Sequence, residues 1–133
     1  MTANGDAPRL KALIVDDEPL AVERLQLLCA ALQTVEVIGS ASDGVQGLQR
    51  AAELAPDLVF LDIEMPHLDG ISAARALQKG ELRPAVILVT AYDNFAVEAF
   101  DLDIVDYLLK PVAQDRLERA VTRAAQGLAA RPD

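Results

Sequence analysis

Five short apolar runs punctuate the chain, at Leu10–Val15, Val35–Ala41, Leu58–Leu61, Ala85–Val89 and Val105–Leu109, and a segment patterned for a helix follows each one. Runs of this length, rich in branched and aliphatic residues and bounded by turn signals, suit strands buried on both faces. Strands that alternate with helices are most economically a parallel sheet, because each crossover helix returns the chain to the same end of the sheet and covers one face of it. Right-handed crossovers leave few topologies. For five strands the expected solution is a doubly wound sheet in the order 2-1-3-4-5.

The intervening segments supply the helices. Pro19, after Asp16-Asp17-Glu18, suits a first helical turn, and Ala21, Leu25, Leu28 and Leu32 recur with the period of one helix face. Ser42-Asp43-Gly44 offers turn and cap chemistry before a helix whose inner face is expected to be Val45, Leu48 and Ala52, closed by Pro56. Asp69 is expected to cap a helix that opens at Gly70, turns Ile71, Ala74 and Leu77 inward and ends near Lys79-Gly80. A short, weakly patterned fourth helix is expected from about Asn94 to Asp101, with Phe95, Val97, Ala99 and Phe100 pointing in several directions. The last helix carries Leu117, Val121, Ala124 and Leu128 on one face.

With 133 residues, 52% of them hydrophobic, and no linker-like interruption, the chain is expected to be one domain with a substantial core. Residues 1–8 read as a disordered N-terminal tail, 9–128 as the folded unit, and 129–133 as a C-terminal tail or the start of a linker. A net charge of −9 argues against direct binding to nucleic acid, which depends on neutralising phosphates with Lys and Arg. Cys29 is the only cysteine, which excludes an intrachain disulfide and a cysteine metal cluster. No signal sequence opens the chain and no apolar run reaches the roughly 20 residues of a membrane span, so the expectation is a soluble, cytoplasmic protein without a membrane partner.

In doubly wound sheets a ligand lies beyond the carboxyl ends of the strands, where strands 1 and 3 part. The strand ends therefore belong together: Asp16 and Asp17 after the first, Asp62 after the third, Thr90 after the fourth and Lys110 after the fifth. Each has an ordinary reading alone, since an acidic pair before a helix is a cap, a threonine at a strand end is a turn residue and a lysine before proline is a solvated charge. Together they bring three carboxylates into one crevice, where they repel and raise one another's pKa unless a cation screens them. All-oxygen coordination suits Mg²⁺. An aspartate beside such a cation is a nucleophile for a phosphoryl group, with Lys110 and the Thr90 hydroxyl placed to hold its oxygens and the small Ala91 leaving its N–H reachable.

In these motifs, Val15-Asp16-Asp17-Glu18-Pro19, Leu61-Asp62-Ile63-Glu64-Met65-Pro66 with Leu68-Asp69-Gly70, Val89-Thr90-Ala91 and Asp106-Tyr107-Leu108-Leu109-Lys110-Pro111, the chain resembles the receiver domain of bacterial two-component response regulators over about Leu10 to Gly127. The resemblance implies a flavodoxin-like (βα)5 fold. It implies that Asp62 accepts phosphate from a histidine kinase, that Asp17, Asp62 and the backbone carbonyl of Glu64 ligate Mg²⁺, and that Asp16 acts mainly through water. Thr90 and Lys110 would bind the phosphoryl group, Tyr107 would be the aromatic switch that turns inward as Thr90 moves, and the Lys110–Pro111 bond would be cis. The stretch Tyr92 to Asp106 is similar to receivers of the LytTR (AlgR/LytR-like) type. Such regulators normally carry a C-terminal DNA-binding domain, so the chain is expected to be either an excised receiver or a stand-alone one.

Other functions fit less well. A haloacid-dehalogenase-type phosphatase needs a second catalytic Asp two residues after the first, where this chain has Glu64, and a cap domain for which it has no spare length. Gly39, Gly44 and Gly47 do not fit a dinucleotide fingerprint, and Val45 rather than Lys follows Gly44. A docking module that is never phosphorylated would not need the full set of strand-end residues. His67, the sole histidine, reads as an exposed loop residue, while Glu64 and Tyr92 flank the site. Asp101, Asp103 and Asp106 face a helix bearing Arg116, Arg119 and Arg123, which suggests a homodimer through the fourth helix, fifth strand and last helix.

Overall fold

The structure, a computed structural model, describes residues 9–93, 99 and 101–131. Strands β1 (Leu10–Val15), β2 (Val35–Ala41), β3 (Leu58–Leu61), β4 (Ala85–Thr90) and β5 (Asp106–Leu109) form one parallel sheet in the order β2-β1-β3-β4-β5. The flavodoxin-like arrangement expected from the alternating pattern is the one observed. The described helices are α1 (Pro19–Ala30), α2 (Gly44–Leu54), α3 (Gly70–Lys79) and α4 (Gln114–Ala129). Most of the helix expected from about Asn94 to Asp101 lies outside the described residues, as do the tail at 1–8 and residues 132–133; within that span Ala99 is helical and buried. No described helix is long and apolar enough to cross a membrane.

The two-residue period of the strands divides the core. Ala12, Ile14, Phe60 and Ile87 face one way and pack with Leu25 and Cys29 of α1 and Leu117, Val121 and Ala124 of α4. Leu13, Val15, Val59, Leu61 and Leu88 face the other way, toward Ala51 of α2 and Ile71 and Ala74 of α3. All four residues of β3 are buried, as befits the central strand. Cys29 belongs to this packing; desolvation pushes its thiol up to about 12, which leaves it unreactive at neutral pH.

Helix α2 departs from the expected pattern. Val45 is 45% exposed and Ala52 is exposed, whereas Gly44, Gly47 and Ala51 are buried. The helix lies so close to the sheet that a Cβ at Gly47 would stand 2.9 Å from Val15 Cγ1. Glycine marks the inner face here because nothing larger fits, and a hydrophobic periodicity cannot register a residue without a side chain. Strand β5 begins one residue later than the apolar run, although Val105 N–H still donates to the Val86 carbonyl at 2.8 Å.

Ladder bonds continue one residue past the strands, and they carry the site. Asp16 N–H donates to the Ala41 carbonyl (3.0 Å), Asp62 N–H to Val15 (2.9 Å) and Lys110 N–H to Thr90 (2.8 Å). These three residues thus have sheet-like backbone anchorage although they stand outside the strands, on the rim of a rigid apolar scaffold.

Candidate functional site

Asp16, Asp17 and Asp62 each offer one carboxylate oxygen within a span of 4.8 Å. Asp16 and Asp62 are buried while Asp17 is exposed, so the cluster has a dry wall and a wet mouth. The mouth opens on a groove of about 660 Å³ lined by Asp17, Glu64, Met65, Asp69, Ser72 and Arg75.

Lys110 also reaches into the cluster. Its Nζ lies 2.7 Å from Asp16 Oδ2, 3.2 Å from Asp62 Oδ2 and 3.3 Å from Glu18 Oε1. The remaining oxygens are tied locally: Asp62 Oδ1 accepts from the Ile63 N–H at 2.7 Å, and Asp16 Oδ1 from the Glu18 N–H at 2.9 Å. The Lys110–Pro111 peptide is cis. Glu18 stands at the N-cap of α1 yet makes no side-chain cap bond, its carboxylate being turned to Lys110 instead. That role escaped the sequence reading, which treated Glu18 as part of a helix start.

Burial raises the pKa of Asp62, and the charge of Asp16 raises it further, to about 6 against the opposing pull of Lys110 and the Ile63 amide. Burial by itself would lower the Lys110 ammonium; the hydrogen bond to Asp16 and the charges of Asp62 and Asp16 outweigh it and hold the group above the ordinary lysine range. Two carboxylates too close for comfort and one cation shared between them make a site short of positive charge. Its donors are all oxygen and clustered together, with Asp17 lining an open groove, so the set fits a small hard cation such as Mg²⁺.

Thr90 is fully buried at the end of β4, and its Oγ1 accepts from the Tyr92 N–H at 3.3 Å. The Tyr92 carbonyl in turn accepts from the Tyr107 hydroxyl. The backbone of Tyr92, through its N–H and its carbonyl, therefore joins the buried threonine to the aromatic ring on β5. Glu64 is exposed beside the groove, and His67 is exposed with φ 71°. Asp69 caps α3 through Ser72 N–H at 2.8 Å and Asp43 caps α2 through Gln46 N–H at 2.8 Å. Asp106 pairs within the chain, with Arg116 Nη2 at 3.2 Å and Arg123 Nη1 at 3.5 Å.

This sheet, with an acidic crevice at its switch point and a lysine leaning over it, is the architecture of a signal-receiving domain. The model of the response regulator receiver domain matches residues 12–122, and the chain belongs to that family. It is 47% identical over 114 residues, 86% of this chain and 48% of the relative, to an uncharacterized response regulatory protein of Vibrio cholerae. Over 117 residues, 88% of this chain and 48% of the relative, it is 41% identical to the transcriptional regulatory protein BtsR of Escherichia coli. Among solved structures, the response regulatory domain of protein mrkE from Klebsiella pneumoniae superposes with a TM-score of 0.83 at 33% identity, covering 92% of this chain and 100% of that one. The chain spans about half the length of the curated relatives it matches.

Proposed function

We propose that the chain is a phosphorylation-operated switch in which Asp62 takes a phosphoryl group from the phosphohistidine of a histidine kinase. An Asp62 carboxylate oxygen attacks phosphorus, the phosphorus–nitrogen bond breaks, and the imidazole leaves with the electron pair and takes up a proton. The observation that carries this reading is the shared hold of Lys110 on Asp62 and Asp16, beside an Asp17 that lines an open groove. Asp17, Asp62 and the Glu64 carbonyl would hold Mg²⁺, with Asp16 acting through water. Bound there, the ion supplies the positive charge that the acidic crevice lacks. Lys110 follows the phosphoryl oxygens, and the Thr90 hydroxyl leaves the Tyr92 amide to donate to them. Tyr107, tied to the carbonyl of the same residue, then shifts its population toward the inward state.

The chain acts as a phosphoacceptor rather than a turnover enzyme. Its output is transcription through a LytTR-type DNA-binding domain of a longer cytoplasmic regulator, consistent with a relative that is named a transcriptional regulatory protein. The acidic receiver itself does not touch DNA, and phosphorylation strengthens a homodimer formed through β5, α4 and the segment from about Asn94 to Asp101. The direct test is incubation with acetyl phosphate and Mg²⁺ followed by intact mass measurement. Wild type gains one phosphoryl group and Asp62→Asn gains none; labelling of both, or of neither, overturns the assignment.

A further inference from the structure

The groove side of the site is formed by the segment between β3 and α3, and this segment is strained. Leu68 N–H donates to the Pro66 carbonyl at 2.8 Å while His67 between them has φ 71°. A hydrogen bond from a residue to the one two before it, with the central residue at positive φ, is a γ-turn of the rare, strained kind. Such a turn persists only where its surroundings over-determine it.

Two glycines do so. Gly70 N–H donates to the Ile63 carbonyl at 2.8 Å, and a Cβ there would overlap the Asp62 carbonyl oxygen and stand 2.8 Å from Ile63 Cα. The second seat comes from a different element. Gly44, the first residue of α2, lies so close under the far arm of the turn that a Cβ would overlap the Leu68 carbonyl oxygen and stand 2.8 Å from Leu68 Cβ. The obstacle is backbone, which cannot rotate away. Asp43 holds α2 at this spot through its cap bond to Gln46.

We infer that Gly44 is a positioning residue for the cation side of the site: by letting α2 abut Leu68, it holds the γ-turn and, through it, the Glu64 carbonyl. This rests on the reading of Glu64 as a Mg²⁺ ligand. Helix α2 supplies no side chain to the carboxylate cluster, so the effect travels through backbone contact. A Cβ at Gly44 must displace Leu68 and with it the arm of a turn that begins two residues after Glu64.

The test compares wild type, Gly44→Ala and Gly47→Ala. The last variant strains the same helix against Val15 and leaves Leu68 alone. In metal-free protein, amide exchange by NMR is expected to find Leu68 and Gly70 protected in wild type and in Gly47→Ala, and faster in Gly44→Ala. Calorimetric titration with MgCl₂ is expected to find binding weakened about tenfold or more in Gly44→Ala, as for residues that orient metal ligands, and clearly less in Gly47→Ala. Rapid exchange of both amides in wild type overturns the inference even if Gly44→Ala does not fold. So does a Gly44→Ala protein with wild-type exchange, or equal weakening of Mg²⁺ binding in both variants. If wild type itself binds no Mg²⁺, the proposed function falls, while the metal-free exchange still decides whether Gly44 holds the turn.

Discussion

The Lys110 ammonium is closer to Asp16, at 2.7 Å from Oδ2, than to Asp62, at 3.2 Å. In the resting chain the lysine thus serves first as the counter-ion of the first strand's acid and only second as that of the proposed phosphoacceptor. A phosphoryl group on Asp62 would bring new anionic oxygens toward which Lys110 could move, provided that a cation held by Asp17 and Asp62 screened Asp16 through water.

Removing that ammonium is expected to cost both stability and chemistry. Lys110→Met leaves Asp16 and Asp62, both buried, facing each other without compensation. We expect a loss of about 2 kcal/mol at neutral pH, less than for a fully buried pair because the mouth of the site is wet. Urea unfolding measures it, and millimolar MgCl₂ should restore part of the loss. An unchanged midpoint would mean that solvent already screens the two acids.

The raised pKa of Asp62 sets a pH dependence of defined sign. Its folded value of about 6 exceeds the ordinary 3.8, so the native state binds more protons between them. The stabilising contribution is full below about pH 4 and is lost as pH rises through about 6. Asp62→Asn therefore stabilises the metal-free chain by about 1–2 kcal/mol at neutral pH, discounted for solvent at the groove, and the gap closes toward pH 4. Thermal melts across that range test it; at about 3–5 °C per kcal/mol the difference is well resolved.

The hydrogen bonds through Tyr92 predict a separable phenotype. Thr90→Val keeps the shape of the buried side chain but removes both its donor and its acceptor. Phosphorylation of Asp62 by acetyl phosphate is expected to slow by about 10²-fold, as when one donor to a developing anion is lost. Tyr107→Phe removes the bond to the Tyr92 carbonyl and leaves Thr90 intact. It should cost about 1 kcal/mol of stability and leave the rate of phosphorylation near wild type. The opposite ranking of the two variants in rate would place Tyr107, not Thr90, at the phosphoryl group.

Much of this architecture is legible in the residues because burial and chemistry coincide at the strand ends. Apolar runs that stop at Asp16, Asp62, Thr90 and Lys110 reveal both the sheet and its crevice, and the ladder bonds that extend past the strands explain why. Asp43 and Asp69 announce their helices as caps. What periodicity misses is where backbone does the work of side chains: the glycine face of α2, the Tyr92 backbone that links Thr90 to Tyr107, and the seat of Leu68 on Gly44. Glu18 was hidden for another reason. Its place in the sequence says helix cap, and only the reach of Lys110 gives its carboxylate another partner.

Of the three acids expected to pair across a two-fold axis, Asp106 pairs within the chain. Asp106, its side chain 10% exposed, holds Arg116 and Arg123 and thereby fastens α4 to the edge strand β5. A dimer using this surface must either leave that cluster intact or exchange its partners. Asp106→Asn distinguishes the two. If the cluster is internal, the variant loses about 1 kcal/mol of stability as a dilute monomer, the loss shrinks in high salt, and phosphorylation still drives dimerisation in sedimentation runs. If the partners exchange, monomer stability is nearly unchanged and the phosphorylated dimer weakens. The in-chain distances of 3.2 and 3.5 Å favour the first outcome, because a two-fold contact would have to break these bonds before remaking them.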